Sequence, residues 1–292
     1  MSASGSRNIS PIRILFLTLF AMLAFAGNSL LCRLALKQTG IDPASFTSIR
    51  IVSGALVLSL IARLRSGTQV TGGTWPSALA LFAYAAGFSF AYVSLPASTG
   101  SLLLFGAVQA TMIGYGLWAG ERLRGAQIAG LICACSGLVG LLLPGLSAPP
   151  LFASILMLGA GIAWGAYSLR GRGAGDPLAV TAGNFVYAVA FAAALSALMV
   201  FRISLDSSGV WFAVLSGSVT SGLGYAVWYA ALRGLNATAA ASVQLSVPAI
   251  AALGGILFLG EILTLRLVLA SVAILGGVSL VVFNKPARRA ST

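Results

Sequence analysis

Apolar residues run along this chain in stretches of about twenty, broken at intervals by short clusters of charge, glycine and proline. A membrane-spanning helix needs roughly 20 mostly apolar residues to cross about 30 Å of hydrocarbon, so each stretch is the length of one crossing. Ten are legible, at about 13–35, 43–64, 75–93, 97–118, 125–143, 151–169, 178–200, 209–231, 236–258 and 263–283. The breaks read TGIDP, RLRSGTQVTGG, SLPAS, GERLRG, LPGLSAPP, RGRGAGDP, FRISLDSSG, RGLNA and GEILT, all turn-forming compositions. The third and fourth stretches are parted only by a turn at Pro96, and the eighth and ninth only by RGLNA, yet either pair merged would be far too long for one span. The pattern predicts an all-α, polytopic membrane protein with ten transmembrane helices.

The first stretch has a second reading. RILFLTLFAMLAFA behind Arg7 and Arg13 has the basic start, apolar run and A-F-A ending of a cleavable signal peptide. The apolar pattern continues through Leu30 to Leu36, and the internal repeat described below needs this segment, so it counts as a retained helix.

Composition agrees with the pattern: 59% of residues are hydrophobic, 8% are charged and the mean hydropathy is +1.00. The net charge of +12 would by itself suggest nucleic acid, but its distribution does not. With the N-terminus cytoplasmic, one membrane side carries Arg7, Arg13, Arg63, Arg65, Arg122, Arg124, Arg170, Arg172, Arg233, Lys285, Arg288 and Arg289, and the other only Arg33, Lys37, Arg202 and Arg266. That is the positive-inside asymmetry of a bacterial inner-membrane protein with both termini cytoplasmic. Arg50 alone falls within a span; the expectation is that it snorkels to the outer interface, the alternative being a carboxylate partner. Cys32, Cys133 and Cys135 all lie in spans, fit neither a disulfide framework nor a zinc site, and are expected to be buried. Histidine is absent, which removes the commonest general base, so no catalytic residue, metal or cofactor is expected.

An internal repeat is the most informative feature. An offset of 140 places Ala97-Ser98 on Ala237-Thr238, Gly120-Glu121 on Gly260-Glu261, Leu123 on Leu263, Ile128 on Val268 and Gly137 on Gly277. With a slightly different offset FAGNSLLCR faces AWGAYSLRG, and Asp42-Pro43 faces Asp176-Pro177. The halves are 1–146 and 147–292, with five helices each. Five is odd, so the second half enters the membrane from the opposite side, the inverted-repeat plan of many secondary transporters.

The aromatic-glycine stretches of helices one and six, Arg50, YVSLPASTGSLLL, YAALRGLNATAAASVQ and the two Gly-Glu turns resemble the EamA family of drug/metabolite transporters over nearly the whole chain. Within it the chain looks most similar to bacterial amino acid exporters of the YddG type, associated with aromatic amino acids. Two positions depart from the family pattern: Phe25-Ala26-Gly27 stands where Trp-Gly is frequent, and Asn184 occupies the place of Arg50 in the second half. The resemblance implies an exporter that works as a monomer in the bilayer on small-molecule substrates.

In an inverted-repeat carrier the site lies near the midplane between halves, so polar and aromatic groups near helix centres are the candidates. Tyr84 and Phe88 share a face of helix three with Tyr92, and Tyr225 and Trp228 share a face of helix eight with Leu232. Trp164, Asn28, Gln109 and Gln244 add amphipathic groups at depth. Each has a plain structural alternative, packing or the interfacial belt for the rings and an interhelical hydrogen bond for the amides. Gly116, Gly120, Gly161 and Gly165 suit close helix crossings, and Pro248 suits a kink.

The expected activity is carriage of amino acids, aromatic ones included, by alternating access. Because the five acidic residues fall at helix ends or loops, the expected mode is facilitative. Glu121 and Glu261 are expected to bond free N–H groups at the helix starts that follow them. A drug or nucleotide-sugar carrier of the same superfamily remains open, as does a channel or scaffold.

Overall fold

The computed structural model describes residues 10–66, 72–120, 123–145, 148–171, 176–232, 234–235, 240 and 243–283. Among them the chain forms ten helical rods and no strand. They are α1 (Pro11–Gln38), α2 (Pro43–Ser66), α3 (Trp75–Tyr92), α4 (Ala97–Trp118), α5 (Gly125–Leu142), α6 (Leu151–Arg170), α7 (Pro177–Leu198), α8 (Ser207–Leu232), α9 (Ser246–Leu259) and α10 (Leu265–Phe283). Eight are long and apolar enough to cross a membrane; α3, rich in Ser, Tyr and Trp, and α9, with 14 described residues, are the exceptions.

Helix starts follow local chemistry. Asp42 Oδ1 accepts from the N–H groups of Ala44 and Ser45 (both 2.9 Å), and Asp176 Oδ1 from those of Leu178 (3.1 Å) and Ala179 (3.4 Å), each Asp preceding a proline with no N–H to satisfy. Asp206 caps α8 through the Gly209 N–H at 3.0 Å. Partial burial raises the Asp42 carboxyl, but hydrogen bonds from the Ser45 hydroxyl and from the Ser204, Ser45 and Ala44 N–H groups outweigh it and hold the carboxyl below the usual carboxylate range.

The ninth helix differs from the expected 236–258. Residues 236–239 and 241–242 lie outside the described set, and α9 begins at Ser246 after a turn at Leu245 that separates it from helical Val243 and Gln244. Pro248 has no N–H to give the carbonyl four residues back, so it sits in the first turn of α9 rather than kinking a continuous rod. In α8 the stretch Ser216–Leu223 is π-helical. Here Gly217 lies so close to α2 that any Cβ would overlap the Ser53 hydroxyl and the Arg50 carbonyl.

Packing is pairwise. α2 lies against α7, α5 against α10, α3 and α4 against α6, and α1 against α8 and α9, while α4 also meets α9. The α5–α10 contact is antiparallel: Gly130 faces Gly277, and Gly137 faces Ala270 and Ala273. Gly161 and Gly165 admit α4, meeting Ala107 and Thr111 respectively. Gly120 instead makes a turn, with φ of 90°, as Gly260 does with φ of 62° at the end of α9.

Large apolar side chains point outward in helical rows, such as Ile12, Leu15, Phe16 and Leu19 on α1 and Leu265, Leu269 and Val272 on α10. Such rows are a liability in water and are at home in hydrocarbon. Cys32 is buried as expected, but Cys133 and Cys135 are exposed. Helix α5 is packed mainly along one face, by α10, and the two cysteines fall on its free side.

Candidate functional site

A cavity of about 300 Å³ lies between α4, α6, α7 and α8, with Phe25 of α1 and Gln244 completing its wall. Gln109, Trp164, Tyr225, Trp228 and Gln244 line it. Next to it is a chamber of about 20 Å³, lined by Asn28, Tyr84 and Phe88 among others, which shares Phe25, Trp164 and Tyr225 with the larger space. All eight residues singled out from the sequence therefore stand around two adjoining cavities, although they come from six different stretches of chain.

Trp164 is the ring where these walls meet. Its centroid is 4.8 Å from Tyr84, 5.2 Å from Tyr225 and 5.4 Å from Tyr167, with the last two stacked at 30° and 28°. Phe25 adds edge contacts to Tyr225 and Trp228, both at 5.9 Å. Each such pair contributes about 0.5–1.5 kcal/mol beyond its burial, so the ring cluster is a stiff wall as well as an apolar one.

A polar ladder also lines the cavity, beginning beside the rings at Tyr167. Asn184 Nδ2 donates to Tyr167 Oη (3.4 Å), which donates to Thr181 Oγ1 (3.3 Å), which donates to Tyr229 Oη (3.0 Å). Asn184 Oδ1 accepts the Thr74 N–H at 2.9 Å, tying the start of α3 to α7. Tyr167, Thr181 and Tyr229 were not candidates from the sequence, and Asn184 stood out only as the residue in the place of Arg50. A usable signal existed, since Tyr167 follows Trp164 by three residues and Tyr229 adjoins Trp228.

The smaller chamber is organised by Asn28. Its Oδ1 accepts from the hydroxyls of Ser216 (2.7 Å) and Thr220 (3.3 Å) in the π-helical stretch, and its Nδ2 donates to Tyr84 Oη at 3.2 Å. Arg50 does not snorkel. It is 2% exposed, its Nη2 donates to Tyr84 Oη at 2.9 Å, and its guanidinium carbon lies 5.1 Å from the Tyr84 ring centre and 4.9 Å from that of Phe88. The reason is placement: α2 is enclosed by α3, α7 and α8, and position 50 faces that interior, where no route to an interface is open.

At one end of the bundle the helix termini are clamped. Arg33 Nη1 donates to the carbonyls of Tyr92 (2.8 Å) and Val93 (2.9 Å) at the close of α3. The Glu261 carboxylate accepts from the N–H groups of Ala97 (2.7 Å) and Ser98 (3.3 Å) at the start of α4, and lies 3.8 Å from Arg33 Nε. Glu261 thus bonds free N–H groups as expected, but those of α4 rather than of the helix that follows it. Glu121 lies outside the described residues. The same end is tied by Asp42 Oδ2 to the Ser204 N–H at 2.9 Å. By contrast the main cavity reaches Gly171, Pro177 and Leu232, at the helix ends on the other side.

Three comparisons bear on identity. A family model described as the EamA-like transporter family matches residues 151–283. An uncharacterized protein of Pseudomonas aeruginosa is 57% identical over 280 residues, covering 95% of this chain and 97% of that protein. A solved crystal structure shares the fold with a TM-score of 0.65 at 20% identity, over 91% of this chain and 98% of that one. Its long apolar helices and outward apolar rows make this a multi-pass membrane protein, and its second half, residues 151–283, is similar to the EamA-like transporter family.

Proposed function

We propose that this protein is a facilitative secondary transporter of amino acids, aromatic ones included, in a bacterial inner membrane. The observation that carries the reading is the cavity of about 300 Å³, lined both by the rings of Phe25, Trp164, Tyr225 and Trp228 and by the hydroxyl and amide groups of Gln109, Tyr167, Thr181, Asn184, Tyr229 and Gln244. A flat apolar side chain packs against the rings, and the polar ends of an amino acid meet the hydroxyls and amides.

Alternating access comes from two inverted halves, 1–146 and 147–292. The α5–α10 contact supports them: Gly130 facing Gly277 becomes, under the offset of 140, Ala270 facing Gly137, which is also present. Reciprocal contacts of this kind arise about a two-fold axis. In this arrangement the cavity reaches the arginine-rich end of the bundle while the Arg33–Glu261 end is clamped. With that arginine-rich end cytoplasmic, the conformation opens inward. No lining residue among those described is acidic, which fits movement down the substrate gradient without a proton-switched carboxylate. Export is the direction the gradient of an overproduced amino acid would drive.

Counterflow in proteoliposomes tests this. Vesicles preloaded with unlabelled phenylalanine should accumulate labelled phenylalanine transiently and saturably, with leucine and tryptophan competing. Folded protein that shows no counterflow across the amino acids overturns the proposal, and competition by drug-like or nucleotide-sugar solutes instead would assign it another cargo.

A further inference from the structure

Resting on the amino acid reading, we infer that the chamber beside Trp164 is the seat of the substrate's carboxylate, with Arg50, Tyr84 and Ser221 as its specificity-determining groups.

The geometry leaves a surplus of donors there. Tyr84 Oη accepts two hydrogen bonds, from Arg50 Nη2 at 2.9 Å and from Asn28 Nδ2 at 3.2 Å. An oxygen that accepts twice keeps its own proton for a further acceptor. The Ser221 hydroxyl lines the chamber, is buried to within 1% of complete, and has no hydrogen-bond partner among the described residues. Behind the chamber's Tyr84 and Phe88 rings, Arg50 Nη1 is also buried and has no hydrogen-bond partner among the described residues. Asn28 Oδ1 is already taken by Ser216 and Thr220.

Charge points the same way. A guanidinium stays protonated at any working pH, and a buried cation without an anion is costly. Among the described residues no carboxylate reaches Arg50. Asp42, Asp176 and Asp206 cap helix starts, and Glu261 is held by α4 and Arg33. The rings of Tyr84 and Phe88 cover the guanidinium and also line the chamber, so its positive field and the Tyr84 proton meet whatever enters. The π-helical stretch of α8 supplies Thr220 and Ser221 to the same wall, and π-bulges recur at ligand sites. A volume of about 20 Å³ holds one small polar group and no ring. An aromatic amino acid would therefore lodge its carboxylate in the chamber and its ring in the larger cavity, with Trp164 between them.

The test is ligand-induced thermal stabilisation of the purified protein, alongside proteoliposome competition, in chloride-free buffer so that a small inorganic anion does not occupy the chamber. The probes are phenylalanine, 3-phenylpropanoate, phenylalaninamide and phenethylamine. Both carboxylates should stabilise and compete, and the amide and amine should be at least about 100-fold weaker, which the loss of two hydroxyl hydrogen bonds to a charged group, in the field of the Arg50 guanidinium, would give. Ser221→Ala, a small change at a site with no other partner, should weaken both carboxylates about 3–10-fold and leave unliganded melting unchanged. Arg50→Gln should remove the preference for carboxylates; if it does not fold, Arg50→Lys and the wild-type probe series still decide. Equal binding of amide and acid overturns the carboxylate seat while leaving amino acid transport standing. Binding of 3-phenylpropanoate without transport of phenylalanine overturns amino acid transport and keeps the seat. No binding by any of the four overturns both.

Discussion

Arg33 and Glu261, 228 residues apart in sequence, place a guanidinium on the last carbonyls of α3 and a carboxylate on the first N–H groups of α4, with 3.8 Å between the two charges. Each charge has the sign that the helix end before it favours, so the pair clamps the α3–α4 hairpin and joins α1 to the turn before α10. Because both side chains are largely buried, removing one strands the other. Glu261→Gln should lower the melting temperature in detergent by several degrees, since breaking a buried, hydrogen-bonded pair costs about 3–5 kcal/mol at most. Arg33→Gln should do the same, and the double variant should lose less than the sum, as measured in a double-mutant cycle. Additive losses would mean that the two charges do not act together.

Trp164 joins three rings and both cavities. Trp164→Ala should raise the KM for aromatic amino acids about 10-fold or more with a smaller effect on aliphatic ones, because the lost ring contacts amount to about 1–2 kcal/mol. Trp164→Phe should recover most of the loss. Equal effects on aromatic and aliphatic substrates in counterflow would show that the ring serves packing alone.

Asn184 holds the Thr74 N–H and the Tyr167 hydroxyl. Asn184→Ala leaves both short of a partner, and should destabilise the protein by about 1–3 kcal/mol. Asn184→Asp keeps the acceptor but loses the donor to Tyr167, so it should fall between alanine and wild type in a thermal unfolding series.

The Asp42 carboxyl lies below its ordinary range because hydrogen bonds from the Ser45 hydroxyl and from the Ser204, Ser45 and Ala44 N–H groups outweigh its partial burial. A group with a depressed folded-state pKa contributes stability that is present above the unfolded value, about 3.9, and lost as pH falls through the folded one. Acidification below about pH 4 should therefore loosen the link between the α1–α2 turn and Ser204. Asp42→Asn should flatten that acid limb in a pH series of melting temperatures; an unchanged limb would assign it to other carboxylates.

Gly217 touches the backbone of Arg50 and the Ser53 hydroxyl. Gly217→Ala should push α8 away from α2 and sharply reduce folded yield, whereas Gly276→Ala, where a Cβ would meet nothing within 4 Å, should be silent. Similar yields for the two would show that the α2–α8 crossing adapts.

Much of this protein is written in one dimension. Crossing a membrane imposes a length and an apolarity on each helix, and turn chemistry marks the ends, so nine of the ten helices lie within three residues of their expected limits. The exception, α9, turns on Pro248, whose missing N–H the hydropathy pattern does not register. The depth of a polar or aromatic residue along its helix was equally legible, and depth together with shared helix faces singled out Asn28, Tyr84, Phe88, Gln109, Trp164, Tyr225, Trp228 and Gln244, which stand around two adjoining cavities.

What depth does not encode is rotation about the helix axis. In hydrocarbon the outward face is as apolar as the inward one, so periodicity distinguishes them poorly. That is why Cys133 and Cys135, expected inside, face out, and why Arg50, expected at an interface, lies sealed beneath Tyr84 and Phe88. Partners set by packing were likewise hidden: the Glu261 carboxylate meets α4, and Tyr167, Thr181 and Tyr229 form a ladder only because α6, α7 and α8 converge. The sequence by itself determined the ten helices seen among the described residues, where all but α9 begin and roughly how deep each polar group sits, since those follow from the thickness of the solvent. Which groups meet was decided by the tertiary structure, because it depends on how ten rods rotate to satisfy one another's buried donors and charges.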